Sequence, residues 1–96
     1  MQVPYTVHGA QRAQQRGVPR LITAWLLDYG AEQFDGQGAV IRYFSKDSVR
    51  RMERELGSAP VRRLSEYLRC YLVQSNEDGK VITIGKRYPN KRFWRH

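Results

Sequence analysis

Leu21, Ile22, Trp25, Leu26 and Tyr29 recur at helical spacing between Pro19 and Gly30. Side chains three and four apart share one face of an α-helix, so this stretch carries an apolar face that must be buried. Proline suits a first helical turn, and glycine suits the end. The spacing predicts the main core helix from about Val18 to Gly30, around which the other segments must pack.

The flanking segments take their character from the same punctuation. A polar helix is expected from about Val7 to Arg16, stopped by Gly17 and Pro19. After Gly30, Glu32–Asp35 and Ala39–Phe44 flank the Gly36-Gln37-Gly38 turn and read as a β-hairpin. Ser45 is placed to cap a third helix, Lys46 to Leu56, whose apolar positions are Val49, Met52 and Leu56 and which Gly57 ends. Ser58 to Ser65 reads two ways, because Pro60 interrupts it while Val61 and Leu64 fit a helical turn. Glu66–Ser75 is dense in β-formers, Asn76-Glu77-Asp78-Gly79 is a turn, and Lys80–Gly85 is the return strand. The expected order is α-α-β-β-α-β-β, an α+β domain with N-terminal helices on a mainly antiparallel sheet. At 96 residues the chain is expected to form one domain, with residues 86–96 as a basic, aromatic tail.

Strand alternation sorts the last two strands by face. Leu68, Cys70 and Leu72 are expected on the core side, with Arg69, Tyr71, Val73 and Ser75 on the other. In the return strand Ile82 and Ile84 are expected to share the core face, opposite Val81, Thr83 and Gly85. Arg69, Tyr71, Thr83 and Arg87 then meet on one polar face. Such a face is ordinary in an antiparallel sheet. Its residue types are also those that hold phosphates and stack on bases.

Charge narrows the partners. Seventeen Lys and Arg face nine Asp and Glu, leaving a formal +8. A small domain with this surplus attracts polyanions, nucleic acid first and an acidic protein second. On the first helix His8, Arg12 and Arg16 follow at i, i+4 and i+8 and make a cationic stripe. That stripe is either a solvated helix face or a phosphate grip with a proton-transfer group. His8 is the best acid–base candidate, because an imidazole titrates near ~6.5. Metal-free RNA cleavage needs a base for the 2′-hydroxyl, cations for the phosphorane-like transition state, and an acid for the leaving 5′ oxygen. His8, Arg12, Arg16, Tyr71 and Thr83 are the candidates for that chemistry. Arg69, Lys86, Arg87, Tyr88, Lys91 and Arg92 are the candidates for holding RNA. In the tail, basic residues interleave with Tyr88, Phe93 and Trp94, a pattern suited either to single-stranded RNA or to packing on the domain.

Other chemistries find less purchase. The acidic pairs Glu53/Glu55 and Glu77/Asp78 do not form a metal-binding carboxylate cluster, and Gly36-Gln37-Gly38 lacks the Lys-Ser/Thr of a phosphate loop. No metal and no cofactor are expected. A single cysteine, Cys70, allows no internal disulfide and favours a reducing, cytoplasmic setting. No apolar run reaches the ~18–20 residues of a membrane span, and Met1-Gln2-Val3-Pro4 does not open like a secretory signal.

The run His8-Gly9-Ala10-Gln11-Arg12-Ala13-Gln14-Gln15-Arg16-Gly17-Val18, the helix ending in Gly30, and Tyr71-Leu72-Val73 with Asp78-Gly79-Lys80-Val81-Ile82-Thr83-Ile84 resemble the family called domain of unknown function 4258. That family is grouped with RelE-like and BrnT-like toxins, in the wider set that includes barnase, EndoU and colicin ribonuclease domains. The resemblance implies N-terminal helices on a curved, RelE-like antiparallel sheet. It implies a metal-independent endoribonuclease toxin of a type II toxin–antitoxin pair, with RNA, free or ribosome-associated, as substrate and an acidic antitoxin as partner. It maps the family-type His and Arg onto His8, Arg12 and Arg16, and a late-strand Thr onto Thr83. The segments Glu32–Phe44 and Ser45–Leu56 are longer than in the simplest members. Two alternatives stay open: a non-catalytic nucleic-acid-binding module, and a toxin of this fold that acts on a protein.

Overall fold

The apolar stripe centred on Trp25 does become the core helix. In the computed structural model, which describes residues 3–86, α1 spans Val7–Gln15 and α2 spans Arg20–Tyr29. Strands β1 (Ala31–Phe34) and β2 (Ala39–Tyr43) form a hairpin. Helix α3 (Lys46–Leu56) and the short α4 (Ser58–Arg63) follow. A 3-10 turn at Ser65–Tyr67 leads into β3 (Cys70–Ser75) and β4 (Val81–Lys86). Ile22 and Leu26 from α2, Met52 from α3, Val61 from α4, and Leu72 and Ile84 from the sheet are almost wholly buried in one cluster. The helices thus cover one face of the sheet.

Local chemistry explains the boundaries. Ser45 Oγ accepts from the Ser48 amide at 3.0 Å, and Ser48 Oγ accepts from the Ser45 amide at 3.2 Å, a reciprocal cap that starts α3. Gly57, at φ +92°, ends it in a conformation that L side chains rarely adopt. In the β1–β2 turn Asp35 Oδ1 accepts from the amides of Gln37 and Ala39 at 2.6 and 3.1 Å. Arg42 ties the sheet to α2. Its guanidinium donates to Gln74 Oε1 at 2.7 Å, to the Leu27 carbonyl at 3.3 Å and to Glu32 Oε2 at 3.0 Å.

The sheet has four strands in the order β1-β2-β3-β4, and every neighbouring pair is antiparallel. This overturns the expected curved, RelE-like sheet. The molecule is α+β, but its sheet is open, with β1 and β4 at opposite margins. Four strands of four to six residues are too few and too short to roll toward closure.

Two further expectations are corrected. The strand expected from Glu66 begins only at Cys70. The Tyr67 amide donates to the Leu64 carbonyl at 3.0 Å and the Leu68 amide to Ser65 at 3.1 Å, while Leu64, Tyr67 and Leu68 pack on the core. That tertiary packing outweighs the β propensity of the segment. Second, Val81 rather than Ile82 is fully buried beside Ile84. The register slips between Val73, which faces Thr83, and Gln74, which faces Val81, so a bulge at Ile82 turns Val81 into the core.

Candidate nucleic-acid interface

Helix α1 is fastened along the outer strand β4 by the residues at its start. Thr6 Oγ1 accepts from the Gly9 amide at 2.9 Å and so caps the helix. The Thr6 amide and hydroxyl both donate to the Val81 carbonyl, at 2.9 and 3.1 Å, and the Val81 amide donates to Pro4 at 2.7 Å. Gly9 permits this approach, since a Cβ there would stand 2.1 Å from the Val81 carbonyl oxygen. At the far end of the helix Arg16 Nη1 donates to the Ile84 carbonyl at 2.8 Å. The His8–Arg12–Arg16 stripe therefore follows the strand from Val81 toward Gly85.

Arg16 also joins that stripe to the sheet surface. A Cβ built on Gly85 would lie 2.8 Å from Arg16 Nη1 and 3.5 Å from Tyr71 Cε1. The guanidinium thus occupies the space that a side chain at position 85 would take, next to the Tyr71 ring. Gly85 is paired with Tyr71, Thr83 with Val73, Tyr71 with Tyr43, and Val73 with Ile41. By strand alternation all of these share the face turned away from the core cluster. Tyr43, Ile41, Tyr71, Val73 and Thr83 are each half-buried. Two tyrosines, two aliphatic residues, a threonine and an edge arginine form a surface on which bases can stack beside a phosphate-binding cation.

At the other end of the stripe His8 is exposed, and its Nε2 accepts a hydrogen bond from Arg12 Nε at 3.1 Å. A guanidinium can only donate, so in this arrangement Nε2 carries its lone pair and Nδ1 carries the proton. That acceptor nitrogen is occupied by Arg12.

The other expected site residues separate. Arg69 is exposed in the turn before β3, so strand alternation does not place it beside Tyr71. Lys86 pairs with Cys70 across the sheet and therefore belongs to the opposite face, where its Nζ stands 5.1 Å from the centre of the Tyr67 ring. Arg87, Tyr88, Lys91 and Arg92 lie outside the described residues, as do Phe93, Trp94 and His96.

Sequence reasoning missed Thr6, Gly85 and Tyr43. Thr6 has a local signal, a Thr just before the first helical residue. Tyr43 shares its face with Ala39 and Ile41 by period two, yet only the pairing with β3 brings it to Tyr71. Gly85 has no local signal, because its role depends on Arg16.

Among the described residues no group of three or more His, Cys, Asp or Glu is arranged to hold a metal ion. The buried Cys70 thiol is pushed up to about 11, chiefly by its burial, with Lys86 and Arg69 pulling in the other direction. A thiol so disfavoured as thiolate is a poor nucleophile. No described helix is long and apolar enough to cross a membrane. No protein-family model, no curated protein and no solved structure matches the chain.

Proposed function

We propose that this domain binds single-stranded RNA along the α1–β4 margin and cleaves it without a metal ion. The observation that carries this reading is the placement of Arg16 over Gly85 and beside Tyr71. It links the cationic stripe of α1 to an aromatic sheet face, so one strand of RNA can meet phosphate-binding and base-stacking groups together. The surplus of +8 adds long-range attraction for the polyanion.

The chemistry is transesterification. His8 takes the proton from a 2′-hydroxyl, O2′ attacks the adjacent phosphorus, and the bond from phosphorus to O5′ breaks. The leaving O5′ takes a proton from water, and the products end in a 2′,3′-cyclic phosphate and a 5′-hydroxyl. Arg12 and Arg16 neutralise the charge that builds on the phosphorane oxygens. In this scheme Arg12 turns from His8 to the incoming phosphate and thereby frees Nε2 to act as base. Inside a cell such an activity would arrest growth unless held in check, which is the sense in which a toxin role follows. The single, buried thiol of Cys70 suits a reducing, cytoplasmic setting.

A second reading, binding without turnover, is favoured by one observation: Arg12 occupies the nitrogen that a base would use. A labelled single-stranded RNA incubated with the protein in EDTA separates the two. Cleavage is expected from the parent and a strong loss from His8→Ala. Tight, salt-dependent binding with the RNA left whole would establish the second reading, and no binding by folded protein would overturn both.

A further inference from the structure

On the helix layer, away from the open sheet face, two open depressions adjoin along α3, the second of them reaching α4. One, of about 370 Å³, is lined by Phe44, Lys46, Val49, Arg50 and Leu68 among others. The next, of about 360 Å³, shares Val49 and Leu68 and adds Glu53, Val61 and Arg62. Together they form one groove beside α3, an 11-residue helix that at ~1.5 Å per residue runs ~16 Å. Val49 and Leu68 are half-buried on its floor, over the buried Phe44 and Val61.

The walls differ from the floor. Lys46, Arg50 and Arg62 are exposed along the groove, against one carboxylate, Glu53. From this we propose that the groove along α3 is a docking site for an acidic, amphipathic helix of a partner protein. Its apolar stripe would cover Val49 and Leu68, and its carboxylates would meet Lys46, Arg50 and Arg62. The floor argues against nucleic acid, because valine and leucine give bases nothing to stack on and Phe44 is buried beneath the surface. The rim argues against a second copy of this chain, whose own surplus of +8 would repel it. A helix laid alongside α3 would read this strip with apolar residues at i, i+3/i+4 and i+7.

The inference is independent of the RNA reading. The groove belongs to the helix layer and the Arg16–Tyr71 surface to the far face of the sheet, so the two sites are expected to be occupied together.

The test uses a synthetic helical peptide of about 14 residues, four turns, with leucines on one face and glutamates on the rest. Its controls are the same composition scrambled to break the leucine face and a lysine-for-glutamate version. Backbone amide shifts of the full chain are expected to move at Val49, Arg50, Arg62 and Leu68, with the scrambled peptide binding roughly tenfold more weakly. Arg50→Glu with Arg62→Glu, both exposed positions, should weaken the peptide at least about tenfold while leaving the fold unchanged by circular dichroism. Equal binding of the intact and scrambled peptides, shifts confined to the sheet face, or no effect of the double charge reversal would each overturn the proposal. RNA binding measured with the peptide present is expected to stay unchanged, and full competition would likewise count against the assigned location.

Discussion

Arg16 and Gly85 are joined by what the glycine lacks: Arg16 Nη1 stands 2.8 Å from where a Cβ of Gly85 would be and donates to the neighbouring Ile84 carbonyl, also at 2.8 Å. The end of α1, the margin of β4 and the Tyr71 ring meet at this one point. A substitution at position 85 therefore acts on Arg16 rather than on the core.

Gly85→Ala puts a methyl group 2.8 Å from Arg16 Nη1, the mobile end of a long side chain. The arginine is expected to swing away and lose its bond to Ile84, at a stability cost within ~1.5 kcal/mol. RNA affinity should fall about as far as it does in Arg16→Ala. Paired thermal melts and RNA titrations check both halves, and a Gly85→Ala protein with parental RNA affinity would contradict the placement of the site.

Gly9→Ala should be more damaging. Its Cβ would stand 2.1 Å from a backbone oxygen of Val81, which cannot step aside as a side chain can. Helix α1 must then lift from β4, straining the Thr6–Val81 bonds. A loss of ~2–4 kcal/mol is expected in a denaturant titration, together with weaker RNA binding as the stripe leaves the sheet margin.

Tyr5 and Thr23 test the attachment of the N-terminal segment to the core. Tyr5 Oη and Thr23 Oγ1 lie 2.8 Å apart, and Thr23 is fully buried. Tyr5→Phe leaves a buried hydroxyl without this partner and should cost ~1–2 kcal/mol. The companion variant Thr23→Val in the Tyr5→Phe background removes that orphaned group and is expected to recover part of the loss.

Cys70 links stability to alkaline pH. Its folded pKa stands at about 11, raised from an ordinary 9.0 by burial. Between these values the folded state holds a proton that the unfolded chain has released. The stabilisation from keeping the thiol neutral is complete below the unfolded value and is lost as pH rises toward the folded one. The stability difference between parent and Cys70→Ala should therefore shift in the parent's disfavour between pH 9.0 and about pH 11. A difference that stays constant over that range would contradict the buried, neutral thiol.

How much of this was legible in the sequence depends on how local the cause is. Helix α3 was readable because Ser45 and Gly57 fix its ends locally, and α2 because its apolar spacing needs no partner. The start of β3 was not. Leu68, Cys70 and Leu72 continue a strand-like alternation, but Leu64, Tyr67 and Leu68 gain more by turning onto the core. The bulge that exchanges Val81 for Ile82 arises from pairing with β3 and leaves no mark in the β4 sequence. At the site, the i, i+4, i+8 stripe was visible, and the period-two face through Tyr71 and Thr83 was visible. The contact that unites them spans 68 positions, from Arg16 to Ile84, and no local pattern encodes it.

Arg12 and His8 give a prediction on the mechanism. If Arg12 both occupies Nε2 and later binds phosphate, Arg12→Ala should lower RNA affinity and cleavage together, whereas Arg12→Lys should keep the charge without the planar guanidinium's hydrogen bonds and lose less. Single-turnover rates and RNA titrations on the parent and both variants check the two halves. Parental affinity and rate in Arg12→Ala would remove Arg12 from the site.

The most direct measurement is the fate of one single-stranded RNA in EDTA, with the ends of its products identified. Parent protein is expected to yield fragments ending in 2′,3′-cyclic phosphate, Arg16→Ala to cut far more slowly, and His8→Ala to leave the strand whole while still binding it. Intact RNA with the parent, or equal cleavage by parent and His8→Ala, would contradict the assignment of proton transfer to His8 on the α1–β4 margin.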